Sequence, residues 1–187
     1  MATNDDSLMF SVLGCFEMRA GGRLVEIRGA TAQRLLGVLL LYANTWVHES
    51  RLVDLTWGGA NATRNALHCA VARLRRALAH HDAGSVRLQR SDAGYRMEVT
   101  ADQLDAPQFL ELRRQATAEP DPGERFELLL RGLGLWRGQV LADTGEWLRT
   151  DPNVLALERA RLDCVYEAAD LGLARGEAAR VLPLVEQ

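Results

Sequence analysis

The chain has 187 residues and a mass of 20.7 kDa, with 48% apolar and 25% charged residues, a balance that excludes disordered and collagen-like chains and suits one large or two small globular domains. Its longest apolar run, residues 38–43, is far shorter than the roughly 20 residues a bilayer-spanning helix needs, and its polar start lacks the basic, apolar, small-residue order of a signal peptide, so a cytoplasmic protein without membrane contact is expected. The formal charge of −3 is unevenly shared: residues 1–100 carry 12 arginines against 9 acids and residues 101–187 carry 10 against 16, which predicts two domains.

Phe10, Val12, Phe16 and Met18 share one parity while Ser11, Glu17 and Arg19 hold the other, and Gly21-Gly22 precedes Val25 and Ile27 alternating with Glu26 and Arg28. This predicts a small antiparallel sheet with a Gly-Gly hairpin. Thr31 is the expected cap of a first helix that runs to about Ala43 with Leu35, Leu36, Leu39 and Leu40 on one stripe, and Asn44 ends it. A short second helix carries Leu52, Leu55 and Thr56 and breaks at Gly58-Gly59 after Trp57.

Asn61 or Thr63 can cap a third helix reaching to about Ala79, in which Leu67, Val71, Leu74 and Leu78 fall within about 60° of one another at 100° per residue. The opposite face then carries Asn65, Cys69, Ala72, Arg73 and Arg76, with His68 and Arg75 on one flank. No acid occurs in residues 55–81, so this helix predicts a basic patch in an acidic chain, as phosphate binding requires. After a turn at Asp82-Ala83-Gly84, Val86 and Leu88 alternate with Arg87 and Gln89, and beyond Ser91-Asp92-Ala93-Gly94 the residues Tyr95, Met97 and Val99 alternate with Arg96 and Glu98: a second hairpin. The rest reads as helices: from Phe109 to about Ala118, from Pro122 to Trp136, and from Val154 to Arg175 with Leu155, Leu162, Tyr166, Ala169 and Leu173 as its apolar positions. A last helix opens at Gly176-Glu177. Paired helices of this length suggest tetratricopeptide-like repeats, although no clean 34-residue period aligns.

Catalytic signatures are absent: no G-x-S-x-G, Walker loop, G-x-G-x-x-G or H-E-x-x-H occurs, and no enzyme activity or cofactor is expected. Cys15, Cys69 and Cys164 form no C-x-x-C pair and read as reduced thiols, mostly buried. His80-His81-Asp82 is the best metal candidate, but adjacent side chains on a helix point about 100° apart and cannot share one ion, so no metal is expected. His68 and Cys69 fail as a base and nucleophile for the same reason. A sheet, three helices with the third basic and outward-facing, and then a hairpin is the order of a winged helix, whose third helix enters the major groove while the hairpin meets the adjacent backbone. The rival readings are a protein-interaction scaffold centred on the helical half, and a small hydrolase or transferase with an unlisted motif.

Several segments, in order, resemble the Streptomyces antibiotic regulatory protein family: Phe10-Ser11-Val12-Leu13-Gly14, Gln33-Arg34 with the following leucines, Arg51-Leu52-Val53-Asp54-Leu55-Thr56-Trp57-Gly58, Arg64-Asn65-Ala66-Leu67, Arg73-Leu74-Arg75-Arg76-Ala77-Leu78, Gly94-Tyr95-Arg96, Leu135-Trp136-Arg137-Gly138 and Leu141-Ala142-Asp143. The resemblance implies a mostly α fold with small β-sheets, in which an OmpR-type winged helix-turn-helix, the effector domain of two-component regulators, occupies residues 1–100. An all-α bacterial transcriptional activation domain of tetratricopeptide-like repeats would fill residues 101–187. It also implies a non-enzymatic activator that binds direct repeats of double-stranded DNA in promoters of antibiotic and other secondary-metabolite clusters, as a homodimer, and recruits RNA polymerase holoenzyme.

Carried over by position, Arg64, Asn65, Arg73 and Arg76, flanked by His68 and Arg75, would meet bases and phosphates, and Arg87, Arg90 and Arg96 of the wing would meet the neighbouring backbone or minor groove. The loop of Trp57, Gly58, Gly59, Ala60 and Asn61 would touch the polymerase sigma subunit. The chain departs from the family pattern at His48, where a Ser or Thr cap is usual, at Ala93, in place of the first of two wing glycines, and at Cys69, in place of a larger polar residue. The family's activation domain ordinarily continues for several more helices, so a chain stopping at Gln187 is expected to expose Val181, Leu182, Leu184 and Val185 and to favour dimerisation.

Overall fold

A computed structural model of the chain describes residues 7–59, 62–81 and 86–185, the side chain of Val185 excepted. The expected turn at Asp82-Ala83-Gly84, the expected Asn61 cap and two residues of the loop expected to touch polymerase, Ala60 and Asn61, lie outside the described residues.

Three strands, β1 (Leu8–Ser11), β2 (Glu17–Ala20) and β3 (Arg23–Leu24), form an antiparallel sheet in chain order, with Phe10 opposite Met18 and both side chains buried on the predicted parity. The Gly21-Gly22 turn joins β2 to β3, both glycines having positive φ. Helix α1 (Ala30–Leu41) begins earlier than predicted, and Thr31 does not cap it: the chain turns at Gly29, φ 97°, whose carbonyl accepts the first helical N–H bonds from Ala32 and Gln33. Asn44, at φ 63°, ends the turn after α1 and exchanges two side-chain bonds with the backbone of Val99 at 3.0 and 3.1 Å.

Helix α2 (Glu49–Trp57) is capped by His48, whose Nδ1 accepts from the Ser50 N–H at 3.4 Å, so the imidazole fills the place of the usual hydroxyl. Gly58, at φ 66°, closes the helix with its N–H on the Asp54 carbonyl. Thr63 Oγ1 accepts from the Ala66 N–H at the start of α3 (Arg64–His81), whose Leu67, Val71, Leu74 and Leu78 are all buried as predicted. Strands β4 (Arg87–Ser91) and β5 (Gly94–Glu98) make the second hairpin, and Val47 adds to β5 through a reciprocal pair of backbone bonds with Tyr95 at 2.8 and 2.9 Å. The wing is therefore tied to the residue that leads into the α2 cap.

A short 3-10 turn over Ala101–Gln103, closed by a Thr100–Gln103 capping box, leads into α4 (Asp105–Ala118), which starts a turn before the predicted Phe109. Asp121 accepts from the N–H groups of Gly123 and Glu124 to start α5 (Pro122–Leu133), which stops three residues short of Trp136 where Gly132 and Gly134 weaken the helix. Asp151 caps α6 (Pro152–Arg175), Gly176 ends it in the left-handed region, and α7 (Leu182–Val185) follows. Glycines set the helix spacing: Gly132 of α5 lies on Phe109 and Leu112, and Gly172 of α6 lies on Phe126 and Val181. Phe109 also meets Trp136 edge-on, with centroids 5.3 Å apart.

Two expectations about this half are corrected. Helix α6 turns Val154, Leu157, Ala160, Cys164, Ala168 and Gly172 inward, while Leu155, Leu162, Tyr166 and Leu173 are half or more exposed. The small side chains win the inward face because α6 approaches α5 closely enough for Gly172 to touch the Phe126 ring. Near the chain end, Val181 is buried on Gly172, Leu184 is partly buried, and only Leu182 of the described side chains named for that segment is exposed.

The two halves share one continuous apolar core. Segment 137–142 runs beside residues 12–14, with Arg137, Leu141 and Ala142 N–H groups donating to the carbonyls of Leu13, Val12 and Gly14 at 2.8, 3.0 and 3.3 Å. Asp143 accepts from the Phe16 N–H at 2.9 Å and from the Gln33 amide at 3.1 Å. Buried Asp105 accepts from the N–H groups of Val12 and Leu13 and pairs with Arg137. On the other side of α1, buried Asp151 accepts from the Tyr42 hydroxyl at 2.6 Å and Arg51 at 2.9 Å.

Candidate nucleic-acid interface

Periodicity turns four apolar residues of α3 to the core, and what remains outside is Asn65, Cys69, Ala72, Arg73 and Arg76, all exposed, with Arg64 and Arg75 exposed and His68 half-buried at the edges. Small side chains at Cys69 and Ala72 leave the helix backbone open to close approach, and no acid of α3 opposes the arginines. Arg73 and Arg87 have no ion-pair or hydrogen-bond partner among the described residues, so their guanidinium groups are free for an anion. Arg76 uses Nε on the Ala72 carbonyl of its own helix at 3.3 Å, leaving its terminal nitrogens outward, and Arg75 reaches the Leu88 carbonyl of β4 at 3.5 Å.

The structure brings three of the sequence-predicted residues to one group that the sequence did not single out. Glu49, in the first turn of α2, receives Arg64 Nε, approaches His68 Nε2 at 3.5 Å and receives Arg90 from β4 at 3.3 Å. The Arg64 hydrogen bond above all, with further help from His68 and Arg90, holds the Glu49 carboxyl below the usual carboxylate range against the opposing effect of its burial. One carboxylate thus links the start of α3 to the wing and orients two arginines whose remaining N–H groups stay in solvent. His48, Arg64, Arg90, Ser91 and Asp92 surround an open hollow of about 380 Å³ over it. A cluster formed by residues 49, 64, 68 and 90 has no sequence period to reveal it.

Arg96 is placed differently from its neighbours on the wing. It is ion-paired with Glu98, donates to Gln89 Oε1 at 2.8 Å and lies 4.7 Å over the Trp46 ring, so its guanidinium is engaged within the hairpin. At the other end of α2, Trp57 is partly buried, Gly58 rests against the face of Trp147, and Gly59 is exposed. Trp147 donates its indole N–H to the Leu55 carbonyl at 2.8 Å, fixing the start of this loop to the helical half. A Cβ on Gly58 would lie 2.5 Å from the indole.

Cysteine chemistry gives a direct check on the exposed helix face. Cys15 and Cys69 are exposed, whereas burial pushes the Cys164 thiol up to about 11. In native protein near neutral pH, iodoacetamide is expected to modify Cys15 and Cys69 and to spare Cys164 until denaturant is added. Equal labelling of all three in the native state, read by mass spectrometry, would contradict the packing of α6.

The fold and this surface define a class: a winged helix joined to an all-helical domain. Residues 104–187 match the family model of the bacterial transcriptional activator domain. The chain is 31% identical to the transcriptional regulator RedD of Streptomyces coelicolor over 86% of its own length and 48% of that protein, and 27% identical to the transcriptional regulatory protein MoaR1 of Mycobacterium tuberculosis over its whole length and 62% of that protein. It is 24% identical to the regulatory protein DnrI of Streptomyces peucetius over 94% of its length and 69% of that protein. Among solved structures, Mycobacterium tuberculosis EmbR, determined with a low-affinity phosphopeptide, matches 96% of this chain and 49% of its own with a TM-score of 0.77 at 24% identity, a likeness of fold. The chain thus spans about half to two thirds of the length of most of these relatives. These relatives are transcriptional regulators, and the matches agree with the motifs by which the chain resembles the Streptomyces antibiotic regulatory protein family. Among the described residues no helix is long and apolar enough to cross a membrane.

Proposed function

We propose that this chain is a cytoplasmic DNA-binding transcriptional activator, with residues 1–100 reading promoter DNA and residues 101–187 serving activation. The observation that carries this reading is the acid-free, outward face of α3 beside a wing whose Arg90 shares Glu49 with Arg64. Arginines capture the duplex by charge, phosphate contacts set the register, and Arg73, Arg76 and Asn65 read base edges in the major groove. Binding follows direct repeats, two copies side by side, in promoters of secondary-metabolite clusters. RNA polymerase holoenzyme is then recruited by the sigma subunit meeting the loop from Trp57 to Asn61, whose anchored start beside Trp147 supports its use as a fixed contact.

The test is selection of sheared host genomic DNA by the purified protein at two salt concentrations, with an Arg73→Ala, Arg76→Ala double variant alongside. Enrichment of a few promoter fragments bearing a tandem repeat, lost in the double variant, is the expected result. Each arginine that reads a guanine contributes about 1–3 kcal/mol, and its loss relaxes preference at one position. Duplex DNA should also slow iodoacetamide at Cys69 and leave Cys15 unaffected. Uniform or absent enrichment would sink the DNA reading and turn the search to protein partners of the acidic helical half.

A further inference from the structure

The cationic surface of α3 continues past the helix onto the segment that leads into α1. Between the segment leading into α1 and the C-terminal half of α3 runs an open cleft of about 810 Å³. Arg28 stands on one wall and Arg73 and Arg76 on the other, with His80 and His81 further along α3, and Glu26 is the one acid among the described lining residues. Arg28, Arg73, Arg76 and His80 are exposed. Arg28, like Arg73, has no ion-pair or hydrogen-bond partner among the described residues. Gly29 shapes the cleft: its φ of 97° turns the chain after Arg28, and the Arg73 guanidinium lies over the glycine, 3.8 Å from where a Cβ would be. Among the described lining residues, three guanidinium groups face one carboxylate, an excess of two positive charges. Like charges lining one cleft repel, and an anion held there by Arg28 relieves that repulsion.

We propose that this cleft is a phosphodiester site, in which Arg28 grips the DNA backbone beside the groove that α3 enters. The assignment rests on the DNA-binding reading above and extends the interface to the segment between the N-terminal sheet and α1, which carries no sequence-predicted contact. Arg73 and Arg76 face both regions, since they border the cleft and belong to the outward row of α3. The anion is a backbone phosphate and not a base edge, because Arg28 comes from outside the helix that reads the groove, and a guanidinium fork matches the geometry of phosphate oxygens.

The experiment measures full-chain protein by fluorescence anisotropy on two short duplexes, a genomic fragment that the protein enriches and a random sequence, across a salt series. Arg28→Ala is expected to weaken both duplexes by the same factor, between about threefold and tenfold, to lower the salt slope by about one, and to leave base preference unchanged. Arg28→Glu should weaken both further, and thermal melts of the two variants should match the wild type, since Arg28 has no partner among the described residues. Wild-type affinity and slope in both variants, with binding lost in the Arg73→Ala, Arg76→Ala protein, would overturn the cleft assignment and keep the DNA reading. A change in base preference at one position would also overturn it, by making Arg28 a base contact. A wild type that enriches no genomic fragment and does not bind the random duplex would overturn both.

Discussion

Replacing Asp105 by leucine is expected to cost about 3–5 kcal/mol, and the midpoint of thermal unfolding should fall by about 10 °C. The carboxylate is buried and accepts the Val12 N–H at 2.8 and 3.0 Å and the Leu13 N–H at 3.1 Å. Leucine fits the space but leaves two buried donors without an acceptor, and each such donor costs about 1–3 kcal/mol. Arg137 is not stranded by the change, because it also pairs with Glu17 at 2.8 Å. Asparagine should fall between: its oxygen keeps one acceptor, while its amide faces a second N–H.

Burial raises the Asp105 carboxyl above the ordinary range, outweighing the pull of the Val12, Leu13 and Ala106 N–H groups and of Arg137. A raised folded value means that the contribution of this carboxyl to stability is present below the ordinary aspartate range and is lost as pH rises through the raised value. Asp105→Asn should therefore show a flatter dependence of stability on pH in that window than the wild type. Paired chemical denaturation curves for the three proteins check both statements, and a leucine variant within about 1 kcal/mol of wild type would mean that the joint at residues 12–13 is not held by this group.

Asp105 sits where the two halves meet. The residues that carry the family resemblance in one half touch those that carry it in the other: Leu13 and Gly14 with Arg137 and Ala142, and Gln33 with Asp143. Gly37 of α1 lies under Leu141, whose methyl would meet an added Cβ at 3.0 Å. Tyr42, Arg51 and Asp151 close the other side of α1. A helical domain bound to α1 and α2 at this many points is held in a fixed relation to the α3 face; on the DNA-binding reading, a partner gripping the helical half would be positioned with respect to the duplex on α3.

Local regularities were the ones that sequence could reveal. The Leu67, Val71, Leu74 and Leu78 row records burial on one helix and therefore fixes which arginines of α3 face outward. The same logic failed on α6, where Leu155, Leu162, Tyr166 and Leu173 are the larger apolar residues but the closely packed face belongs to Ala160, Cys164, Ala168 and Gly172. Hydrophobicity ranks residues by size, whereas helix approach here selects for smallness. Thr31 failed as a cap because Gly29 can adopt a backbone conformation that starts the helix sooner. Glu49 stayed hidden for a different reason: its three partners lie 15, 19 and 41 residues further along the chain, and only the folded wing brings the last of them in.

Gly94→Ala should separate the wing from the rest of the interface. A Cβ at this position would stand 2.0 Å from the Val47 carbonyl oxygen and 2.8 Å from the His48 Cα, and the residue holds φ at 117°, where side chains are strained whatever the space. Neither clash can be relieved by turning a side chain, because both are with backbone. Relief requires breaking the Val47–Tyr95 pair, which joins β5 to the lead-in of α2. The cost is about 3 kcal/mol, from the strain and the lost packing together, and the midpoint should fall by about 6–12 °C. At temperatures where the variant is still folded, the hairpin should no longer deliver Arg90 to Glu49. On the DNA-binding reading, the variant then loses the wing's backbone contacts and keeps those of α3, so affinity falls alike for specific and random duplex and the salt slope shrinks. The structural readout is independent of that reading: amide exchange should speed up at Val47 and Tyr95 and stay slow at Leu74 in the α3 core. Unchanged exchange at Val47 and Tyr95 would show that the chain accommodates the methyl by another route and that the glycine is not what seats the wing.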